Sequence, residues 1–220
     1  MIRILFFLLV VFSNLQAQNF SNTVSTKFLA LGDSYTVGEK VSESERWPEQ
    51  LAAALQARGK KIEKPRIIAV TGWRTDQLKN AIEEAQLKNE YGLVSLLIGV
   101  NNQYQNKSVE SYAPEFEELL HTAIQLAAGK KENVFVVSIP DYGYTPFGKP
   151  RQLEISKAID QFNDANRSIT EKLGIKYINI TDLTREGLEK PEYVAADGLH
   201  PSGKMYGMWV ERILGRLMGK

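Results

Sequence analysis

A three-layer α/β/α fold around a central parallel sheet of about five strands is what this sequence predicts. Three observations carry the prediction. Short apolar runs rich in branched residues recur along the chain, too continuous for strands with one wet face. Segments with helical spacing separate them, which is the alternation of a doubly wound fold. The length of 220 residues, 43% of them apolar, suits one domain with a sizeable core.

The elements follow in order. "MIRILFFLLVVFSNLQA" has a lone basic residue, Arg3, then an unbroken apolar run from Ile4 to Phe12, then a short polar stretch ending in the small residue Ala17. That is the build of a secretory signal cleaved after Ala17, and the run is too short to span a bilayer. The expectation is an exported protein, periplasmic or secreted. No cysteine follows the run, which argues against a lipid anchor. Residues 18–26 are polar and read as a loose leader, so the single folded domain is expected over 27–220.

Five strands are expected at 27–31 (KFLAL), 66–70 (RIIAV), 93–100 (LVSLLIGV), 133–139 (NVFVVSI) and, more weakly, 175–180 (IKYINI). A helix over 47–59 has Pro48 in its first turn and Gly59 as its stop. A second, over 75–89, takes Thr75 as its N-cap. A third, over 108–129, spaces Phe116, Leu119, Leu120, Ala123, Ile124 and Ala127 along one face. Two more cover about 154–173 and about 201–218. In such sheets, ligands bind beyond the carboxyl ends of the strands. The segments to inspect are therefore 32–35, 71–74, 99–104 and 140–144, with 197–201 ahead of the last helix.

Composition removes several classes of function. There are 27 basic and 26 acidic residues, interspersed, with no basic tract of the kind that neutralises phosphates. Nucleic acid is therefore not an expected partner. With no cysteine, disulfides, zinc–thiolate centres and cysteine nucleophiles are excluded. No phosphate-cradling G-x-x-x-x-G-K-[ST] and no H-E-x-x-H appear. No metal or organic cofactor is expected. Acids are plentiful, but nothing singles out a carboxylate pair for glycosidase chemistry.

What remains is hydroxyl chemistry. "LALGDSYTVG" places Ser34 just past the first strand, either as a nucleophile held outward or as a turn or helix-capping residue. A nucleophile needs a base, and there are two histidines. His121 sits on a polar helix face between Glu117 and Gln125. His200 lies in "AADGLHPSG", with Asp197 three residues earlier. One turn of loop can bring that carboxylate to the imidazole Nδ1 and leave Nε2 to take the serine proton. The Ser34 N–H, an N–H at Gly72 and the Asn101 side-chain amide are donors of the type an oxyanion hole needs, each at a strand end.

On these residues the chain resembles the SGNH (GDSL-type) hydrolase superfamily. "GDSY", "TGW", "GVNN" and "DGLHP" match its serine, glycine, asparagine and D-x-x-H-P blocks in order, and the resemblance runs from residue 28 to about 210. It implies the flavodoxin-like fold of that superfamily. It also implies Ser34 as nucleophile, His200 as base, Asp197 as the orienting acid, and a hole made by Ser34, Gly72 and Asn101. There are two departures. Tyr35 replaces the usual leucine, and Asn102 stands where an aspartate often follows the asparagine.

The expected activity is a serine esterase for small acyl esters. Trp73, Tyr104, Tyr142 and Tyr144 lie in the loops beyond the strand ends, and Arg74 stands beside them. Aromatic rings can stack on sugar faces and Arg74 can hold an acidic group, which favours removal of O-acetyl groups from a carbohydrate. The alternatives are a lysophospholipase or thioesterase for longer acyl chains, which needs an apolar channel, and a catalytically silent glycan-binding module. Oligomeric state is not readable from the sequence.

Overall fold

The computed structural model describes residues 25–219. The expected signal, residues 1–17, and most of the leader lie outside the described residues. At the leader's end, Thr26 already pairs with Ile62 in an isolated parallel bridge.

The order of elements is β1 (Phe28–Gly32), α1 (Ser34–Val37), α2 (Trp47–Ala57), β2 (Arg66–Ala69), α3 (Thr75–Glu84), β3 (Leu93–Leu97), α4 (Val100–Tyr104), α5 (Val109–Leu126), β4 (Val134–Val137), α6 (Gln152–Lys172), β5 (Lys176–Ile178), α7 (Thr181–Thr184) and α8 (Gly203–Leu217). The five strands form one parallel sheet in the order β2-β1-β3-β4-β5. All five expected strands are present, although the ladder ends sooner than the apolar runs do. Ile98, Ile139 and Ile180 are fully buried beyond the strand ends, where they fill the core beneath the connecting loops.

Two layers of helix cover the sheet. Helices α2 and α8 pack together on one face, and α5 packs against both α3 and α6 on the other. This split follows from right-handed crossovers, because β1 to β2 runs one way along the sheet and β3 to β5 the other. The central strands read as continuous apolar runs for the same reason. Every residue of β1 is buried, since the strand has a helical layer on each side.

The reversal of strand order places a topological switch point between β1 and β3, where a crevice opens beyond the carboxyl ends. Gly32 closes β1 at this point. A Cβ there would overlap the Thr36 side chain and stand 2.5 Å from the Leu97 carbonyl oxygen, so only glycine lets α1 fold back onto the strand end.

One expected cap is corrected. Arg74, not Thr75, occupies the N-cap of α3. Thr75 is 1% exposed and its hydroxyl is spent elsewhere. It donates to Glu115 on α5 and accepts from the Asn102 amide at 2.7 Å. A tertiary network outcompetes the local cap.

Candidate active site

Ser34 is the first residue of α1, one position past the cap. The cap is Asp33, whose Oδ1 accepts the Tyr35 N–H at 3.1 Å. The capping task therefore falls to the neighbour, and the Ser34 hydroxyl is left to line a cavity of about 280 Å³. As a first-turn residue, Ser34 has a backbone N–H with no intrahelical acceptor. That N–H sits at the β1 side of the switch point.

His200 lines the same cavity and is 8% exposed. Asp197 holds it through three contacts. Its Oδ2 lies 2.6 Å from His200 Nδ1, and its Oδ1 accepts the Leu199 and His200 N–H groups at 3.0 Å each. Burial pushes the Asp197 carboxyl up. The bonds from the imidazole and the two N–H groups outweigh it, and the carboxyl rests below its ordinary range. An ionised Asp197 fixes the Nδ1–H tautomer and leaves Nε2 with its lone pair. Tyr35 packs against the imidazole at a ring separation of 5.8 Å and against Trp209 at 6.4 Å. The tyrosine that departs from the usual motif is thus a wall for the histidine.

Two further donors reach the cavity. Gly72 lines it with φ +88°, and a Cβ built there meets nothing within 4 Å. Its glycine is required by the backbone conformation, not by lack of space. Asn101 lines it from α4, and its Nδ2 donates to the Trp73 carbonyl at 2.9 Å. An amide nitrogen carries two hydrogens, so one bond fixes the side chain and the other remains for a ligand.

Asn102 supports this arrangement from behind. It is 2% exposed, accepts the Thr75 N–H at 3.2 Å and donates to Thr75 Oγ1. A carboxylate at this position has no hydrogen for the second bond and would add charge beside Glu115. The departure from the family pattern fits the donor and acceptor that Thr75 presents.

The remaining lining residues are Tyr35, Thr71, Val100, Tyr104, Tyr142, Phe147 and Leu199. Tyr104, Tyr142 and Phe147 form a mutually packed trio, with ring centres 6.1–6.4 Å apart. Tyr104 and Phe147 are each about half exposed. The Tyr142 hydroxyl donates to Gln103 Oε1 at 2.9 Å, which joins this wall to α4.

Three expected binding residues stand elsewhere. Trp73 does not line the cavity; its ring packs against the core and only its carbonyl serves the site. Arg74 does not line it either. Its guanidinium is held by both oxygens of Asp76, at 3.0 and 2.7 Å, and by Gln105 at 2.5 Å. Tyr144 turns away, its ring under Arg185 at 5.9 Å. Phe147, which sequence reasoning passed over, takes the place expected of Tyr144. The only signal for it was membership of the same aromatic loop. His121 is exposed on α5.

Asp33, directly before Ser34, has no exposed surface. Its Oδ2 has no hydrogen-bond partner among the described residues, and burial pushes its carboxyl up to about 7 despite the Tyr35 N–H. Among the described residues, no three His, Asp or Glu side chains gather to hold a metal ion, and no helix is long and apolar enough to cross a membrane.

A family model described as the GDSL-like Lipase/Acylhydrolase family matches residues 30–208. Solved structures share the fold at low identity. A lipase/acylhydrolase from Enterococcus faecalis is 19% identical over 88% of this chain and 96% of its own, with a TM-score of 0.67. An acetylxylan esterase from Geobacillus stearothermophilus is 18% identical over 87% and 94%, with a TM-score of 0.66. A psychrotrophic esterase from a Pseudoalteromonas species is 18% identical over 89% and 98%, with a TM-score of 0.64. No curated protein matches the chain significantly.

Proposed function

Because the chain belongs to the GDSL-like lipase/acylhydrolase family, and so is an SGNH-type ester hydrolase, we propose that Ser34, His200 and Asp197 form its triad and that its substrate is a short acyl ester of a carbohydrate. The observation that carries the triad is the 2.6 Å contact between Asp197 and His200 Nδ1, with His200 and Ser34 on one cavity at the switch point.

In the mechanism, Ser34 Oγ attacks the acyl carbonyl carbon as its proton passes to His200 Nε2. The carbonyl π pair moves onto oxygen. The oxyanion is met by the N–H groups of Ser34 and Gly72 and by the free amide hydrogen of Asn101. On collapse, the C–O bond to the alcohol breaks and His200 returns the proton to the leaving oxygen. Water then attacks the acyl-enzyme by the same route, giving the carboxylic acid and restoring Ser34. Asp197 stays ionised throughout and stabilises the imidazolium.

Two observations support the carbohydrate reading. A cavity of about 150 Å³ accommodates benzene, so about 280 Å³ has room for an acetyl group together with one ring. Tyr104 and Phe147 present half-exposed faces beside Tyr142, which suits stacking on a sugar. One structure that this chain resembles is an acetylxylan esterase. A second reading, longer acyl chains, is favoured by the apolar side of the same cavity, where Tyr35, Val100 and Leu199 stand. Export through residues 1–17 is part of the proposal, because an acetylated polysaccharide is met outside the cytoplasm.

An ester panel with a Ser34→Ala control tests the reading. Acetate is expected over octanoate by at least about tenfold in kcat/KM, since overpacking a short pocket costs about 1–3 kcal/mol. Ser34→Ala is expected to remove most turnover while circular dichroism stays native. Native-like turnover by Ser34→Ala would move the nucleophile elsewhere. A preference for octanoate would promote the lipid reading and leave the serine chemistry standing.

A further inference from the structure

The loop after β4 carries two of the three rings in the wall and has no strand or α-helix to place it. Side-chain bonds do so instead. At one end, Asp141 has no exposed side-chain surface. Its Oδ1 accepts the Gly143 N–H at 2.9 Å, and its Oδ2 accepts Arg185 Nε–H at 2.9 Å. The Asp141 N–H donates to Thr184 Oγ1 at 3.0 Å. Arg185, just past α7, also donates to Asp160 on α6 at 2.6 Å. In mid-loop, Thr145 Oγ1 donates to the Tyr142 carbonyl at 2.7 Å and accepts the Gly148 N–H at 3.1 Å. At the far end, the Phe147 N–H donates to the Gly198 carbonyl at 3.0 Å. Gly198 belongs to the turn that runs from Asp197 to His200. The loop is thus clamped between an ion pair with a buried carboxylate and a half-buried cation and the turn that carries the histidine.

A buried carboxylate without its cation is costly, so this pair tolerates one arrangement and few others. Arg185 does not line the cavity, yet it is the partner that fixes Asp141. We propose that Arg185 is a positioning residue for specificity: through Asp141 it sets where Tyr142 and Phe147 stand over Ser34, and so governs the grip on ring-bearing alcohols of the ester. The proposal rests on the reading of Ser34 and His200 given above. It assigns the aromatic wall to the leaving alcohol and not to the acyl group.

Two acetates separate the effects: p-nitrophenyl acetate and ethyl acetate form the same acetyl-enzyme, and only the first has a ring in its alcohol. Because their leaving groups also differ in acidity, each variant is compared with the wild type on the same substrate. Arg185→Lys keeps a charge beside Asp141 but loses the planar fork that reaches Asp160 as well. It is expected to raise KM for p-nitrophenyl acetate about five- to tenfold while kcat, and kcat/KM for ethyl acetate, stay within about twofold. In the double variant with Phe147→Ala, the loss is expected to be smaller than the two single losses combined, because both act through one wall and only Tyr142 is left for Arg185 to place. Should Arg185→Lys fold poorly, Asp160→Asn, on the surface, removes the charge from only the outer partner of Arg185, weakening that bond, and is expected to give the same split with smaller size. Equal losses on both acetates, a changed melting temperature with unchanged kinetics, or strict additivity with Phe147→Ala would overturn the proposal. Retained turnover in Ser34→Ala would count against the serine reading instead, which keeps the two failures apart.

Discussion

Replacing Asp33 by asparagine removes a carboxyl that the fold holds in an unfavourable place, and the consequence can be sized. Asp33 has no exposed surface, and among the described residues its Oδ2 has no partner and its side chain takes only the bond from the Tyr35 N–H. Around it stand Tyr35 of α1, Tyr112 of α5 and Tyr206 of α8, all neutral near pH 7, with no cation among them. Its carboxyl is raised from an ordinary 3.8 to about 7. Between those values the folded chain binds the proton more tightly than the unfolded chain does. Stability contributed at this site is therefore greatest at low pH and falls as pH rises toward 7. At about 1.36 kcal/mol per pH unit where the slope is full, the fall is roughly 2 kcal/mol from about pH 5 to pH 7 and levels off near roughly 3 kcal/mol above the folded value. The substituted amide does not titrate, and it keeps an oxygen for the Tyr35 N–H. Urea unfolding of both proteins at about pH 5 and about pH 8.5 is the assay, since all other titrating groups are common to the pair and cancel. The wild-type protein is expected to lose roughly 3 kcal/mol more than Asp33→Asn across that interval. Parallel stabilities at the two pH values would refute the argument and place Asp33 in contact with water or with an unrecognised partner.

His200→Ala is expected to cost nearly as much turnover as Ser34→Ala, with the double variant little worse, because the two act as one unit. His121→Ala, on an exposed helix face, is expected to be neutral, and an essential His121 would reverse the assignment of the base. Gly72→Ala has space for its methyl but must hold φ +88°, so it is expected to lose about 1–2 kcal/mol in a urea melt. Its kcat is expected to fall by about tenfold or more as the turn relaxes and its N–H shifts. Unchanged kcat in a destabilised Gly72→Ala would remove that N–H from the oxyanion hole.

Much of the fold was legible because it is written in local patterns. Five apolar runs, each followed by a helical period, leave a doubly wound sheet as the one economical arrangement. That sheet puts Ser34, Gly72 and Asn101 at strand ends before any coordinate is known. The pairing of Asp197 with His200 was legible for a similar reason. Three residues of turn span little distance, so the carboxylate can reach the imidazole without a contribution from distant segments, and the observed contact is 2.6 Å.

What the tertiary structure alone decided is where each longer-range side chain spends its hydrogen bonds. Arg74 had the composition of a substrate-binding residue, but Asp76 and Gln105 claim its guanidinium. Thr75 had the composition of a cap, but Asn102 and Glu115 claim its hydroxyl. Tyr144 and Phe147 sit in the same loop with equal claim to the cavity. Arg185, some forty residues later, draws Tyr144 aside, and Gly198 takes the Phe147 N–H. Spacing along the chain fixes the backbone conformation that short-range sterics allow. It does not rank competing partners from distant segments, whose distances exist only once the layers have packed.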